Sequence, residues 1–484
     1  ATSIAEQGGD AAEMRLRALG AIHGVRGRVA SFAVQLLLGD LGEEAARVAM
    51  DHRPEAALRR GVRQYEPLLR ARDAHVEEPA FFVEPSFPAN QRRFALALAS
   101  VGANVIGVGE TDEWSLDEEL RSALTGYYRV SSVTNLREMT DAVRWAQSRC
   151  WVDRLEATVE AHTMVAAQVR EACGIPGTSV RATWLCRDKP SMKEALRQAG
   201  VPTAASTAAD HADEIWAFAK EIGYPLILKP RAGAGAQGTV RVDSDTDLAH
   251  AITVLAATGA TSIAVEEFVE GHEGFYDTIA KDNRVVHDWT THYYPNVLEA
   301  MRTRWISPQF ITTNRMADSS FYTEVAELGQ RVIEALDIGT SATHMEWFHG
   351  PKGLRFSEIG CRPPGVGCWD LYAASNDVDV YREWANIVTH GSPIHAMTRP
   401  YSAGIIALRP DRDGHISGYS GIEEIQARHG EWVIDGHFPP IGHFTQPVEA
   451  GYMANAYVRL RHPDYDTLRG MLDDVGRTIK VHAH

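Results

Sequence analysis

The sequence predicts a multidomain protein of the α/β and α+β class. Three stretches carry that expectation. From Ala80 a strand, a loop, a helix and a second strand follow in order, the β-α-β unit of a parallel sheet. Tyr224-Pro-Leu-Ile-Leu-Lys229-Pro230 reads as a buried strand that delivers a lysine and runs into a loop of small residues. Between Thr343 and Gly365, two apolar runs, Met345–Phe348 and Leu354–Ile359, flank His-Gly-Pro-Lys-Gly, the turn signal of a β-hairpin.

The hairpin carries the sharpest chemical signal. Paired symmetrically about Lys352, its strands set Glu346 opposite Glu358, on one face with Phe348 and Phe356. Opposed carboxylates repel and cost stability, which a cation between them relieves. All-oxygen ligation suits Mg²⁺. The alternative is an ordinary hairpin with both glutamates in water, and a one-residue register slip would put them on opposite faces.

Residues 1–78 read as a helical extension. Val25, Val29, Phe32, Ala33, Leu36 and Leu37 recur at helical spacing, and Glu43–Met50 and Ala56–Leu69 continue the pattern. Such a stripe packs within its own domain or serves as a dimer or docking contact. Residues 79–186 are expected to form the parallel α/β domain. Its elements are strand Ala80–Glu84, helix Gln91–Val101, strand Asn104–Val108, and helices Leu136–Gln147 and Glu160–Cys173, the last closed by Gly174. Gly107-Val108-Gly109 lacks the third glycine of a dinucleotide fingerprint and reads as a tight turn.

A third domain is expected over 187–265. Arg187-Asp188-Lys189-Pro190 precedes helix Ser191–Ala199, helix Asp210–Ile222 and the strand ending at Lys229. The loop that follows holds Gly233, Gly235 and Gly238 before strand Val240–Val242. No G-x-x-x-x-G-K-[ST] loop occurs, yet glycine and alanine leave backbone N–H groups open to phosphate oxygens. An ordinary hairpin tip is the alternative. Ser244 and Asp247 then open a helix in capping-box style.

The fourth domain, 266–399, begins after strand Ile263–Val265 with the acidic run Glu266–Glu273. Taken alone this run reads as a solvated loop, or as a strand edge that meets a purine and its ribose. His287–Arg315, aromatic and basic, reads as irregular wall or lid, and helix Thr323–Leu336 leads into the hairpin. Residues 400–484 read as an α+β domain with strand Gly404–Arg409, helix Gly421–Gly430 and helix Pro463–Asp474.

Composition narrows the function classes. The 484 residues are 44% hydrophobic and 23% charged, as in soluble globular proteins. A net charge of −16 argues against general nucleic-acid binding and against docking on anionic membranes. No apolar run approaches a membrane span, and the N-terminal stretch lacks the basic start and apolar core of a signal peptide. Five cysteines without a C-x-x-C fit reduced thiols in a cytoplasmic protein, not a disulfide framework or zinc site.

Asp188-Lys189, Leu228-Lys229-Pro230 with its glycine loop, Val265–Glu273, and the Glu346/Glu358 hairpin ending in Arg362 follow in a telling order. Together they resemble the ATP-grasp superfamily, within it the carboxylate–amine ligases of amino-acid and dipeptide type, and more distantly the biotin carboxylases. The resemblance spans residues 80–484. It implies an N-terminal parallel α/β domain, central ATP-binding subdomains and a C-terminal α+β lobe, to which the helical extension is added. By the same resemblance Lys189 and Lys229 contact ATP phosphates under a flap at Gly233, Gly235 and Gly238. Glu266 lies at the adenine edge, the backbone of Glu267 and Val269 forms the hinge, and Glu273 binds ribose. Glu346 and Glu358 hold Mg²⁺ or Mn²⁺, and Arg362 faces the transferred phosphate and the substrate carboxylate. His344, two residues before Glu346, orients substrate, serves as a base, or is structural. Gly360 stands where the family often has asparagine, which puts a second metal in question.

The implied reaction activates a small-molecule carboxylate as an acyl phosphate and couples it to an amine, releasing ADP and phosphate. A homodimer is compatible with it. Two other readings stand beside it. One is a bicarbonate-activating, carboxylase-like enzyme, although no Met-Lys-Met biotin acceptor is present. The other is a catalytically silent ATP-binding module, favoured by Gly360 and opposed by the intact Lys189, Lys229, Glu346, Glu358 and Arg362.

Overall fold

A computed structural model describes residues 79–231, 239–257, 262–448 and 455–484. The extension expected over 1–78, and the flap glycines Gly233, Gly235 and Gly238, lie outside the described residues. Among those described, no helix is long and apolar enough to cross a membrane.

The chain begins with four strands, β1 (Pro79–Val83), β2 (Asn104–Gly109), β3 (Leu124–Arg129) and β4 (Arg154–Glu156). They form a parallel sheet in the order β3-β2-β1-β4. Apolar residues on both faces of β1 meet helices on both sides: Phe82 packs toward Gln91–Ser100, and Phe81 toward Leu136–Gln147 and Glu160–Cys173. Asn135 caps Leu136–Gln147 through the N–H groups of Arg137 and Glu138. Gly174, at φ 66°, ends the next helix in the left-handed conformation.

A second sheet of four antiparallel strands follows: β5 (Ser206–Ala209), β6 (Leu226–Pro230), β7 (Val240–Val242) and β8 (Ile263–Glu267), in the order β5-β8-β6-β7. Leu226, Leu228, Ile263 and Val265 bury one face against helices Ala212–Ile222 and Asp245–Ala257. Because side chains alternate, Lys229 and Glu266 fall on the other face.

The largest sheet has eight strands. They are β9 (His272–Lys281), β10 (Arg284–Tyr294), β11 (Gln309–Thr312), β12 (Ser341–Gly350), β13 (Gly353–Gly360), β14 (Ser402–Leu408), β16 (Val433–His437) and β17 (Ala456–His462). Their order is β13-β12-β9-β10-β11-β14-β17-β16. Strands β15 (Ile416–Ser420) and β18 (Lys480–Ala483) pair separately. One face of the large sheet packs on helices Ser320–Leu336 and Tyr465–Thr478, the other on Cys368–Asn376 and Val380–His390. Since β11 pairs with β14, this sheet runs through the boundary expected at residue 400.

Two expectations need correction, and two helices carry none. His287–Arg315 is not an irregular lid: its first part completes β10, in the middle of the sheet, and Trp289 is buried there. Polar residues at His287, Asp288, Thr290 and Thr291 hid the strand, and they are tolerated because cross-strand and side-chain partners satisfy most of them. The acidic run ending at Glu273 is a loop only over residues 268–271, where Glu270 is exposed; its ends lie in strands β8 and β9, with Glu266 and Glu273 buried. Helices Cys368–Asn376 and Val380–His390 complete this region, the second with the helical apolar spacing Val380, Trp384, Ile387, Val388.

Candidate active site

The hairpin of β12 and β13 sets Glu346 opposite Glu358, as its sequence predicts. The turn is nevertheless the two-residue Pro351-Lys352, with Gly350 opposite Gly353. A bulge next to Glu346 reconciles the two registers, leaving Ser357 as the extra residue. Phe356 therefore pairs with Trp347 and joins Met345 and Ile359 in the core against Ser320–Leu336. The expectation that Phe356 shares the glutamate face fails because the bulge reverses the alternation between it and Glu358.

Neighbouring β9 extends the same face. Phe348 pairs with Glu273, Glu346 with Phe275, and His344 with Asp277, so Glu273 and Asp277 point to the side of Glu346 and Glu358. Partial burial and the Glu358 charge push the Glu346 carboxyl up to about 7. Burial and the Glu346 charge push Glu273 up to about 8, although its Oε2 accepts a hydrogen bond from the Val297 N–H at 2.7 Å. Three carboxylates share one sheet face and are donors of the hard, anionic kind that suits a divalent cation, although among the described residues no three acidic, histidine or cysteine side chains already stand close enough to hold one. The donor chemistry of Glu346 and Glu358 is of the kind Mg²⁺ takes, and Glu273, expected at ribose, stands near enough to feel both of their charges.

The cationic side comes from a helix and the small sheet. Asp188 caps helix Lys189–Gln198, its side chain accepting from the Ser191 N–H, so the helix starts two residues earlier than expected, with Lys189 first. Lys189, Met192, Lys193 and Leu196 are buried along one helical stripe. Lys189 Nζ lies 3.3 Å from Glu358 Oε2, and Lys229 Nζ lies 4.0 Å from the same oxygen. Burial pushes the Glu358 carboxyl up, but Lys189 and Lys229 outweigh it and hold it below the ordinary value.

Glu266 takes two lysines on one oxygen. Its Oε2 lies 2.7 Å from Lys193 Nζ and 2.8 Å from Lys229 Nζ. Its Oε1 is buried without a hydrogen-bond partner. Burial would raise this carboxyl, but the two lysines bring it down to about 2. The Glu267 N–H already donates to Ala205 O at 2.9 Å, and its carboxylate pairs with Lys352. Among the described residues no backbone partner is found for the Val269 N–H.

Arg362 leaves the hairpin to meet Glu160, its Nε 3.1 Å from Glu160 Oε2, while its Nη1 donates to Pro363 O at 2.7 Å. Glu160 opens the helix after β4 and lies 3.8 Å from Arg187. A Cβ at Gly360 would stand 3.6 Å from Glu160 Oε2, so a carboxylate of the parallel domain occupies the space beside this glycine. His344 Nδ1 lies 2.6 Å from Asp277 Oδ1, and Asp277 Oδ2 accepts from the Tyr372 hydroxyl. Burial lowers the His344 pKa, but the Asp277 charge outweighs it and the net shift is upward.

Ion pairs and charge interactions thus join Lys189, Lys229, Glu266, Glu273, His344, Glu346, Glu358 and Arg362 in one network. Sequence reasoning missed Lys193, Asp277 and Glu160. The first was legible as the residue one helical turn after Lys189, and the second as the partner of Glu273 at strand period two. Glu160 gave no local signal.

Comparison with known proteins follows from this geometry. The profile of the ATP-grasp domain matches residues 194–377. The L-arginine-specific L-amino acid ligase of Bacillus subtilis is 25% identical over 308 residues, 61% of this chain and 72% of that protein. The crystal structure of an L-amino acid ligase from Bacillus licheniformis superposes with a TM-score of 0.66 at 16% identity, covering 84% of this chain and 99% of its own. A biotin carboxylase from Campylobacter jejuni superposes at 0.57 with 16% identity, covering 83% and 91%.

Proposed function

We propose that this chain, whose residues 194–377 match the ATP-grasp domain, is a ligase of that superfamily that uses ATP to activate a carboxylate as an acyl phosphate and couples it to an amine. ADP and phosphate are the other products. The observation that carries this reading is the convergence of Lys189 and Lys229 on Glu358, itself opposed to Glu346.

An amine cannot displace oxide from a carboxylate, so one carboxylate oxygen must first become a good leaving group. Phosphoryl transfer from ATP makes it one. Such transfer asks the protein for positioning and for positive charge where negative charge spreads. Lys189 and Lys229 supply ammonium groups along the phosphates. Glu346 and Glu358, with Glu273 beside them, would hold Mg²⁺, which neutralises phosphate charge when bound. Glu266 Oε1, a buried acceptor without a donor, suits the exocyclic amine of adenine, and the Val269 N–H suits a ring nitrogen. Arg362 holds a carboxylate oxygen in a charge-assisted pair with Glu160, the chemistry a substrate carboxylate or the transferred phosphoryl group would replace. His344, oriented by Asp277, stands on the same face and can take the proton of an ammonium substrate, leaving the neutral amine to attack.

The test is ADP release on supplying ATP, Mg²⁺ and paired panels of carboxylic acids and amines. ADP production that requires both an acid and an amine, and that Glu358→Gln reduces by about 10²-fold or more, is the expected result. Turnover that needs bicarbonate and no other acid would favour the carboxylase-like reading instead. Full activity in Glu358→Gln would remove the metal assignment.

A further inference from the structure

Lys193 is charged, almost fully buried at 1% exposure, and absent from the list of groups that phosphate chemistry requires. A buried ammonium needs a compensating charge, and here it is Glu266 Oε2 at 2.7 Å. That oxygen already has Lys229 at 2.8 Å. One carboxylate oxygen therefore holds two cations while the other, Oε1, is equally buried and holds nothing. The asymmetry is costly unless a ligand donor reaches Oε1, because an unsatisfied buried acceptor forfeits its solvation.

Lys229 cannot maintain this arrangement by itself. Its ammonium also lies 4.0 Å from Glu358, at the phosphate end of the cleft, and a bound nucleotide would draw it there. Lys193 is fixed to the buried stripe of a helix whose first residue, Lys189, already serves Glu358. It is the cation that stays on Glu266.

We infer that Lys193 is a positioning residue that pins Oε2 of Glu266 and so presents Oε1, an obligate acceptor, to the nucleotide base, selecting a purine with a 6-amino group over one with a 6-oxo group. This deepens the proposed function and rests on its reading of the cleft as a nucleotide site. With Lys193 in place, a 6-oxo purine would set its carbonyl oxygen against Oε1, acceptor against acceptor. Without Lys193, the Glu266 carboxylate is free to turn both oxygens toward Lys229, and the base edge loses its discriminating partner.

The experiment is isothermal titration of full-length protein with ATP and with ITP in the presence of Mg²⁺. The wild-type protein should prefer ATP by about tenfold or more, the scale of one charge-assisted hydrogen bond. Lys193→Met should bring the ratio to within about threefold, with ATP weakened more than ITP. Lys193→Arg is the second variant: it keeps the charge, but its forked guanidinium engages both carboxylate oxygens and should also lower the ratio. A counter-ion with a purely structural role predicts an unchanged ratio in Lys193→Arg, and that result overturns the inference. An ATP preference in the wild type that survives in both variants does the same. Absence of ATP binding in the wild type would instead sink the nucleotide reading on which the inference rests, so the two failures are told apart.

Discussion

Burial and neighbouring carboxylates hold Glu346 and Glu273 well above the ordinary glutamate range, at about 7 and about 8. Both values lie above the ordinary glutamate value of 4.5, so the folded protein keeps protons that the unfolded chain has already released. Stability without a cation should therefore fall as pH rises from 4.5 through 8. A divalent ion between the carboxylates offsets that loss. The rise in melting temperature on adding Mg²⁺ should accordingly be larger near pH ~8 than near pH ~5.5. Equal rises at both pH values would count against these carboxylates as the ligands.

At the scale of elements, helix Lys189–Gln198 links backbone geometry to catalysis. Asp188 fixes where the helix starts, and that start decides that Lys189 and Lys193, one turn apart, face the same cleft. The Asp188 carboxylate also pairs with Arg231, the residue following the Lys229-Pro230 strand end, at 2.5 and 3.2 Å. Asp188→Ala should cost about 1 kcal/mol in denaturant unfolding, from the lost cap. Asp188→Asn keeps the cap and loses the ion pair; with Arg231 partly exposed, its stability should stay within about 0.5 kcal/mol of wild type. If Asn were as damaging as Ala, the ion pair and not the cap would be the stabilising feature. The hairpin makes a related point. Its two-residue turn alone would set Ser357 opposite Glu346, and the bulge is what returns Glu358 to that position.

At the scale of the whole molecule, the cleft is assembled from parts that are far apart in the chain. The small sheet supplies Lys229 and Glu266, the large sheet supplies Glu273, Asp277, His344, Glu346 and Glu358, and the helix that follows β4 of the parallel sheet supplies Glu160. Every one of these lies after residue 78. Removing residues 1–78 should therefore leave ATP affinity within about twofold of the full chain when measured by titration. Loss of nucleotide binding in the shortened protein would place the N-terminal segment within the nucleotide-binding core.

The chain by itself determined the local units and the residue types on them. Helix Leu136–Gln147 and the closure of Glu160–Cys173 by Gly174 were legible to the residue, because a cap and a left-handed glycine are local. Glu346 opposite Glu358 was legible too, since hairpin pairing depends on a short stretch. Strand β10 was not, because its polar residues are buried only through partners distant in sequence. The tertiary structure alone decided that two lysines share one oxygen of Glu266, that Asp277 stands behind His344, and that Glu160 fills the space beside Gly360. Period and capping act over a few residues, whereas a buried charge is settled by whichever distant group the packed sheets bring within reach of it.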